Sequence, residues 1–138
     1  MAGLSSRRKG ANAERELAQL LTEHGFEARR DGRLQADLAH NLKGTHVEVK
    51  RSEKPTFLKW CDQAERDAFA FGFRSWAVFW RASRRPWTVT IPVEEFVRLK
   101  LLEARRAEIF EPSFVVRTDP VEPGERDDFR PVDDTFRL

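Results

Sequence analysis

A chain of 138 residues, 40% of them apolar, supports one domain around one core. No apolar run nears the length of a membrane span and no N-terminal segment suits a signal peptide. The single cysteine, Cys61, excludes an internal disulfide framework, so a reducing, cytoplasmic setting is expected. The net charge of +2 hides a gradient: Lys and Arg number 12 against 8 Asp and Glu over residues 1–60, 9 against 6 over 61–106, and 4 against 9 over 107–138. A basic body with an acidic end predicts a polyanionic partner, such as nucleic acid, and a C-terminus that either solvates the chain or shields the body.

Taken in order, residues 1–10 read as a flexible basic arm whose Arg7, Arg8 and Lys9 can contact phosphates or merely solubilise the terminus. A helix is predicted from Ala11 to His24, ended by Gly25. Its apolar stripe is Ala13, Leu17, Leu20 and Leu21. Glu14 lies three residues before Leu17 and seven before Leu21, hence on the inward face; Glu16 points to solvent. An inward carboxylate must be paired, protonated or bound to a metal, unless it snorkels out at the helix edge.

Phe26 to Asp31 predicts a short strand broken at Gly32, and Arg29, Arg30 and Arg33 crowd the entrance to the acidic stretch that follows, as suits gripping a phosphate backbone. From Gln35 to Glu53 two strands joined by the turn Leu42-Lys43-Gly44-Thr45 are expected to form a hairpin, with Asp37 in the first. The second, His46 to Arg51, alternates, so Val47 and Val49 face one way while Glu48 and Lys50 face the other. A helix then runs from a Thr56 cap to about Ala70, with Asp62, Glu65, Arg66 and Asp67 solvated and Gln63 close to the polar face of the preceding strand. Cys61 has no Cys or His pattern around it and reads as a partly buried thiol. The nearly continuous apolar run Ser75–Arg81 predicts a strand buried on both faces, Trp87–Ile91 an alternating strand, and Val93 to about Arg106 a last helix. Residues 111–138 form an acidic, proline-interrupted extension with no predicted element; residues 11–110 are the expected folded domain.

The order is helix–strand–strand–strand–helix–strand–strand–helix, an α/β domain with a mixed sheet and helices on both sides. On such a frame Glu14, Asp37, Glu48 and Lys50 can converge. Carboxylates from separate elements suit Mg²⁺, which prefers oxygen ligands and keeps several waters; Asp37 and Glu48 would hold it, the Val49 carbonyl adding a ligand and Glu14 acting directly or through water. Lys50, on the face of Glu48, can orient a water or stabilise charge on a phosphate under attack. Glu48 and Lys50 alone are a common solvated strand face; the four residues together point to phosphodiester hydrolysis. His24, His40 and His46 match no metal spacing and are expected at the surface.

The segment Arg8-Lys9-Gly10 through Glu14-Arg15-Glu16-Leu17, with Gly25-Phe26, resembles the opening of the archaeal-type Holliday junction resolvases. Ala36-Asp37-Leu38 and Val47-Glu48-Val49-Lys50 resemble the split metal motif of that family, within the wider PD-(D/E)xK nucleases. The resemblance implies a restriction-endonuclease-like fold of about five strands and a Mg²⁺-dependent homodimeric endonuclease, with Mn²⁺ able to substitute, that nicks four-way DNA junctions symmetrically and needs no small-molecule cofactor. It assigns Glu14 as the helix carboxylate, Asp37 and Glu48 as metal ligands, Lys50 as the catalytic lysine and Gln63 as an accessory polar residue; Arg51 joins the DNA-binding set. Ala36 stands where the family has proline, the Arg-rich loop is shorter than usual, and the extension has no counterpart, which together point to a bacteriophage or bacterial relative. The alternatives are a repair or restriction-like nuclease of the same superfamily acting on duplex, flap or branched DNA, and a non-catalytic DNA-binding module. Phe69, Phe71, Phe73, Trp76, Phe79, Trp80 and Trp87 exceed what one small sheet comfortably buries, leaving a two-fold interface and ordinary core packing as the two readings.

Overall fold

The structure, a computed structural model, describes residues 2–31 and 37–110. Eight elements run in the order α1 (Ala2–Glu23), β1 (Ala28–Arg30), β2 (Leu38–His40), β3 (Thr45–Arg51), α2 (Phe57–Ala70), β4 (Ser75–Arg81), β5 (Thr88–Thr90) and α3 (Val93–Phe110). The expected α/β architecture is present, with its strands divided between two sheets. β1 pairs antiparallel with β2, while β3 and β4 pair in parallel and β5 adds antiparallel to β4.

The apolar stripe of α1 does what its spacing dictates: Ala13, Leu17, Ala18 and Leu21 are buried, and the last three form one core with Leu38 of β2 and Val47 of β3. The helix ends where Gly25 takes a positive φ of 89°. Its N–H donates to the Thr22 carbonyl at 3.0 Å and that of Phe26 to the Leu21 carbonyl at 3.0 Å, the paired bonds that close a helix on a left-handed residue. Gly72 ends α2 in the same way, with φ 74° and the Phe73 N–H reaching the Ala68 carbonyl at 2.8 Å. These two closures set the chain's return into β1 and β4.

α2 is the crossover that a parallel β3–β4 pair requires. It buries Trp60, Ala64 and Ala68; Trp60 and Ala64 form a second core with Val78, flanked by Trp76 and Trp80. Phe57 meets Trp80 edge-on with ring centroids 4.8 Å apart, and the Trp80 indole N–H donates to Thr90 Oγ1 at 3.2 Å, tying β4 to β5.

Several expectations change. α1 reaches back to Ala2, so residues 2–10, expected as a flexible arm, continue the helix. The hairpin of the second and third strands is not formed: β2 pairs with β1, and β3 pairs with β4. One physical reason is visible at Val49, whose N–H is taken by the Asp37 carboxylate at 2.6 Å rather than by a strand carbonyl. Asp37 accordingly lies just ahead of β2 and not within it. Thr56 occupies the position before α2, but its side chain makes no capping bond. β4 is only partly buried, Trp76, Phe79 and Trp80 remaining half-exposed. α3 extends four residues past Arg106, to Phe110. The chain divides into a unit of Met1–Lys100 and a second of Leu101–Leu138. Of the second, Leu101 to Ile109 are described as exposed helix; the acidic extension 111–138 and Arg33 lie outside the described residues.

Candidate active site

β3 carries two faces with different coverings. Val47 enters the α1 core, whereas His46, Glu48 and Lys50 share the face toward α2. That helix covers the polar residues, so Glu48 is 5% exposed instead of solvated. A carboxylate taken out of water needs cations or donors around it. Lys50 Nζ lies 2.7 Å from Glu48 Oε1, and it also donates to Gln63 Oε1 at 2.9 Å. Two acceptors from two elements thus fix the ammonium group. Burial pushes the Glu48 carboxyl upward, but the neighbouring His46 and Lys50 together outweigh it, and Glu48 ends below the usual carboxylate range.

Asp37 behaves in the opposite way. Burial, and after it the negative charge of Glu48, push its carboxyl up to about 6, against the Val49 N–H that favours the ionised form; Glu14 adds further repulsion, and Lys50 offsets a little of it. Asp37, just ahead of β2, therefore senses the charge of Glu48 on β3 and of Glu14 on α1. Glu14 is half-buried on α1 and pairs with Arg30 Nε of β1 at 2.5 Å. Of the residues expected to converge, Glu48 and Lys50 are in direct contact, with Gln63 on the same ammonium group; Asp37 bonds the β3 backbone beside them at Val49, and Glu14 acts on Asp37 by charge while bonded to Arg30.

The basic residues divide. Arg7, Arg8 and Lys9 are exposed on the first half of α1, and Arg29 is exposed on β1. Arg30 is occupied by Glu14. Lys9, Asn12, Arg51, Ser52, Glu53 and Ser83 line a groove between α1 and the far end of β3. Arg51 lies 3.8 Å from Glu16. Glu16, expected in solvent, is half-buried at the centre of a cluster: Arg81 bonds it, and the Trp87 indole N–H donates to it at 3.3 Å. The partners stand 65 and 71 residues away, beyond the reach of any local sequence pattern.

The histidines also differ from expectation. His24 is exposed, but His40 is half-buried and its Nδ1 accepts from the Leu42 N–H at 3.1 Å, locking the turn before β3. His46 is 1% exposed, its Nε2 lying 3.4 Å from Glu48 Oε2. Asp67, expected in solvent, is half-buried on α2 beside this pair. The signal for His46 was available in the sequence: two residues before Glu48 on a strand is the same face.

Residues 5–98 match the family described as archaeal Holliday junction resolvase (hjc). The chain belongs to that family. No curated protein and no solved structure matches it. The resolvase match spans every residue of the converging set, from Glu14 to Gln63. Membership makes the chain a DNA nuclease whose partner is branched DNA, and resolvases of this kind are typically divalent-metal dependent. The side chains fit such an ion. Asp37 lies within electrostatic reach of Glu48 and Glu14, and burial, with their negative charge, pushes its carboxyl up to about 6, a balance that a bound cation would reverse. Among the described residues no helix is long and apolar enough to cross a membrane.

Proposed function

We propose that the chain is a Mg²⁺-dependent endonuclease that resolves four-way DNA junctions by paired nicks as a homodimer. The observation that carries this reading is Glu48 paired with a lysine held by two acceptors, while Asp37 bonds the same strand at the Val49 N–H 2.6 Å away. Asp37 and Glu48 would hold the ion, with the Val49 carbonyl and Glu14, the latter through water, completing the set. Bound there, Mg²⁺ supplies charge neutralisation at the phosphate and a lowered pKa for a coordinated water; Mn²⁺, with the same oxygen preference, can replace it.

The protein's own side chains do the rest. Lys50 has three N–H donors, of which Glu48 and Gln63 take two among the described residues, leaving the third to meet a non-bridging phosphate oxygen as negative charge grows on it. Water adds to phosphorus, one P–O ester bond breaks, and the strand is left with one phosphate and one hydroxyl end. Arg7, Arg8, Lys9 and Arg29, all exposed, together with Arg51 in the groove, supply phosphate contacts that set the register of the DNA without reading its bases.

Pairing of two copies is supported by apolar side chains left in solvent on β5 and α3, where Val89 is 45%, Phe96 51% and Leu99 45% exposed. Of the aromatics singled out from the sequence, Phe69 and Phe71 are the exposed ones. Two copies would place two such sites on a junction with near two-fold symmetry. The metal requirement is tested by nicking of a labelled four-way junction with and without EDTA. Cleavage is expected to vanish with EDTA and return with excess Mg²⁺ or Mn²⁺; undiminished cleavage in EDTA would refute it.

A further inference from the structure

Behind the proposed catalytic carboxylates lies a second group of metal-binding side chains. His46 of β3, Glu48 of β3 and Asp67 of α2 each offer one ligand atom, all within 4.8 Å of one another. His46 is 1% exposed and, among the described residues, neither ring nitrogen has a hydrogen-bond partner, although Nε2 is 3.4 Å from Glu48 Oε2. The two groups are close but not aligned for a hydrogen bond, so proximity alone leaves the imidazole unsatisfied. Phe71 and Phe73 wall the ring, with centroids 5.9 and 5.7 Å from its own. A buried imidazole beside two carboxylates, in an aromatic surround, needs a partner that the described residues do not provide.

We propose that His46, Glu48 and Asp67 bind a divalent transition-metal ion, Zn²⁺ being the best match, at a site separate from the catalytic metal and joined to it through Glu48. The separation of 3.4 Å between His46 Nε2 and Glu48 Oε2 is that of two ligands on one tetrahedral ion with bonds of about 2.1 Å. Asp67 completes the set by a rotation of its half-buried side chain, and a water takes the fourth place. One imidazole with two carboxylates favours Zn²⁺ over Mg²⁺, which takes oxygen ligands and keeps most of its waters. Glu48 can serve both sites because its oxygens are divided, Oε1 toward Lys50 and Oε2 toward His46. Zn²⁺ here would fix the Glu48 carboxylate from behind, as an outer partner orients a ligand.

The site does not depend on the nuclease reading, and its test reads binding rather than cleavage. The full chain carrying Asp37→Asn, which weakens the proposed catalytic metal site, is titrated with Zn²⁺ against a chromophoric chelator and with Co²⁺ followed by its visible d–d absorption. One ion is expected to bind, with the intense Co²⁺ bands of a low-coordinate centre. Adding Asp67→Asn, a nearly isosteric change at a half-buried position, is expected to weaken Zn²⁺ at least tenfold. In the chain with its native residues, one equivalent of Zn²⁺ should move the His46 side-chain ¹⁵N resonance and leave those of His24 and His40 in place. Unchanged affinity in the Asp67 variant, or an unmoved His46 resonance at one bound equivalent, would overturn the site.

Discussion

At Asp37, burial and like charge act against the hydrogen bond from Val49, and the balance leaves a carboxyl that titrates near 6 rather than near 3.8. A raised acid pKa means the folded state holds its proton more tightly than the unfolded chain does. Its stabilising contribution is therefore complete below about pH 3.8 and is lost as the pH rises through about 6. The whole loss amounts to about 3 kcal/mol. In EDTA, the stability of the native chain relative to Asp37→Asn, from urea unfolding, should fall by up to that amount between about pH 4 and pH 7. Because Glu48, Glu53 and Glu95 have lowered values and pull the opposite way, the difference between the two proteins is the quantity to follow. A difference that stays flat across this range would contradict the geometry around Asp37. Gln63 provides a second residue-scale check. Its bond to Lys50 joins a neutral acceptor to a charged donor, the kind worth about 1.5–3 kcal/mol. Gln63→Leu should slow single-turnover cleavage about tenfold or more, with junction affinity in EDTA unchanged. Full-speed cleavage by that variant would remove Gln63 from the site.

Among the elements, α1 bears the most weight, because one helix supplies both core and site. Leu17 is fully buried between Val47 and Leu38 while Glu14, on the adjoining face, meets Arg30. Leu17→Ala should cost about 2–5 kcal/mol in urea unfolding, whereas Leu58→Ala, at a side chain 82% exposed on α2, should cost under about 0.5 kcal/mol. Similar costs for the two would mean that the core is not where the structure places it. The helical and strand periods made most elements legible in the sequence, and period two put Glu48 and Lys50 on one face. Strand pairing was not legible, since Leu38–His40 joins Ala28–Arg30 through tertiary packing that no turn signal encodes. The start of α1 was missed for a different reason: Gly3, Ser5, Ser6, Arg7, Arg8 and Lys9 contain no apolar stripe to reveal a helix. The surroundings of Glu16 and His46 depended on distant residues, Arg81, Trp87 and Asp67, whose approach follows from the β3–α2–β4 crossover.

For the whole molecule, charge and apolar surface bear on how DNA is met and how copies assemble. The basic excess over residues 1–106 suits a phosphate backbone, and the acidic excess lies in residues 107–138. The exposed Val89, Phe96 and Leu99 predict a dimer by light scattering at micromolar concentration, shifted to monomer by Phe96→Glu with the circular dichroism unchanged. A monomeric native chain would leave paired nicking without its structural basis. The central claim, that Asp37, Glu48 and Lys50 cut branched DNA, is tested most directly by nicking rates on a labelled four-way junction and on plain duplex of the same sequence. The native chain should prefer the junction strongly, and Glu48→Gln should lower its rate by about 10³-fold or more while still binding the junction in EDTA. Equal cutting of plain duplex, or a Glu48→Gln chain that still resolves junctions, would contradict it.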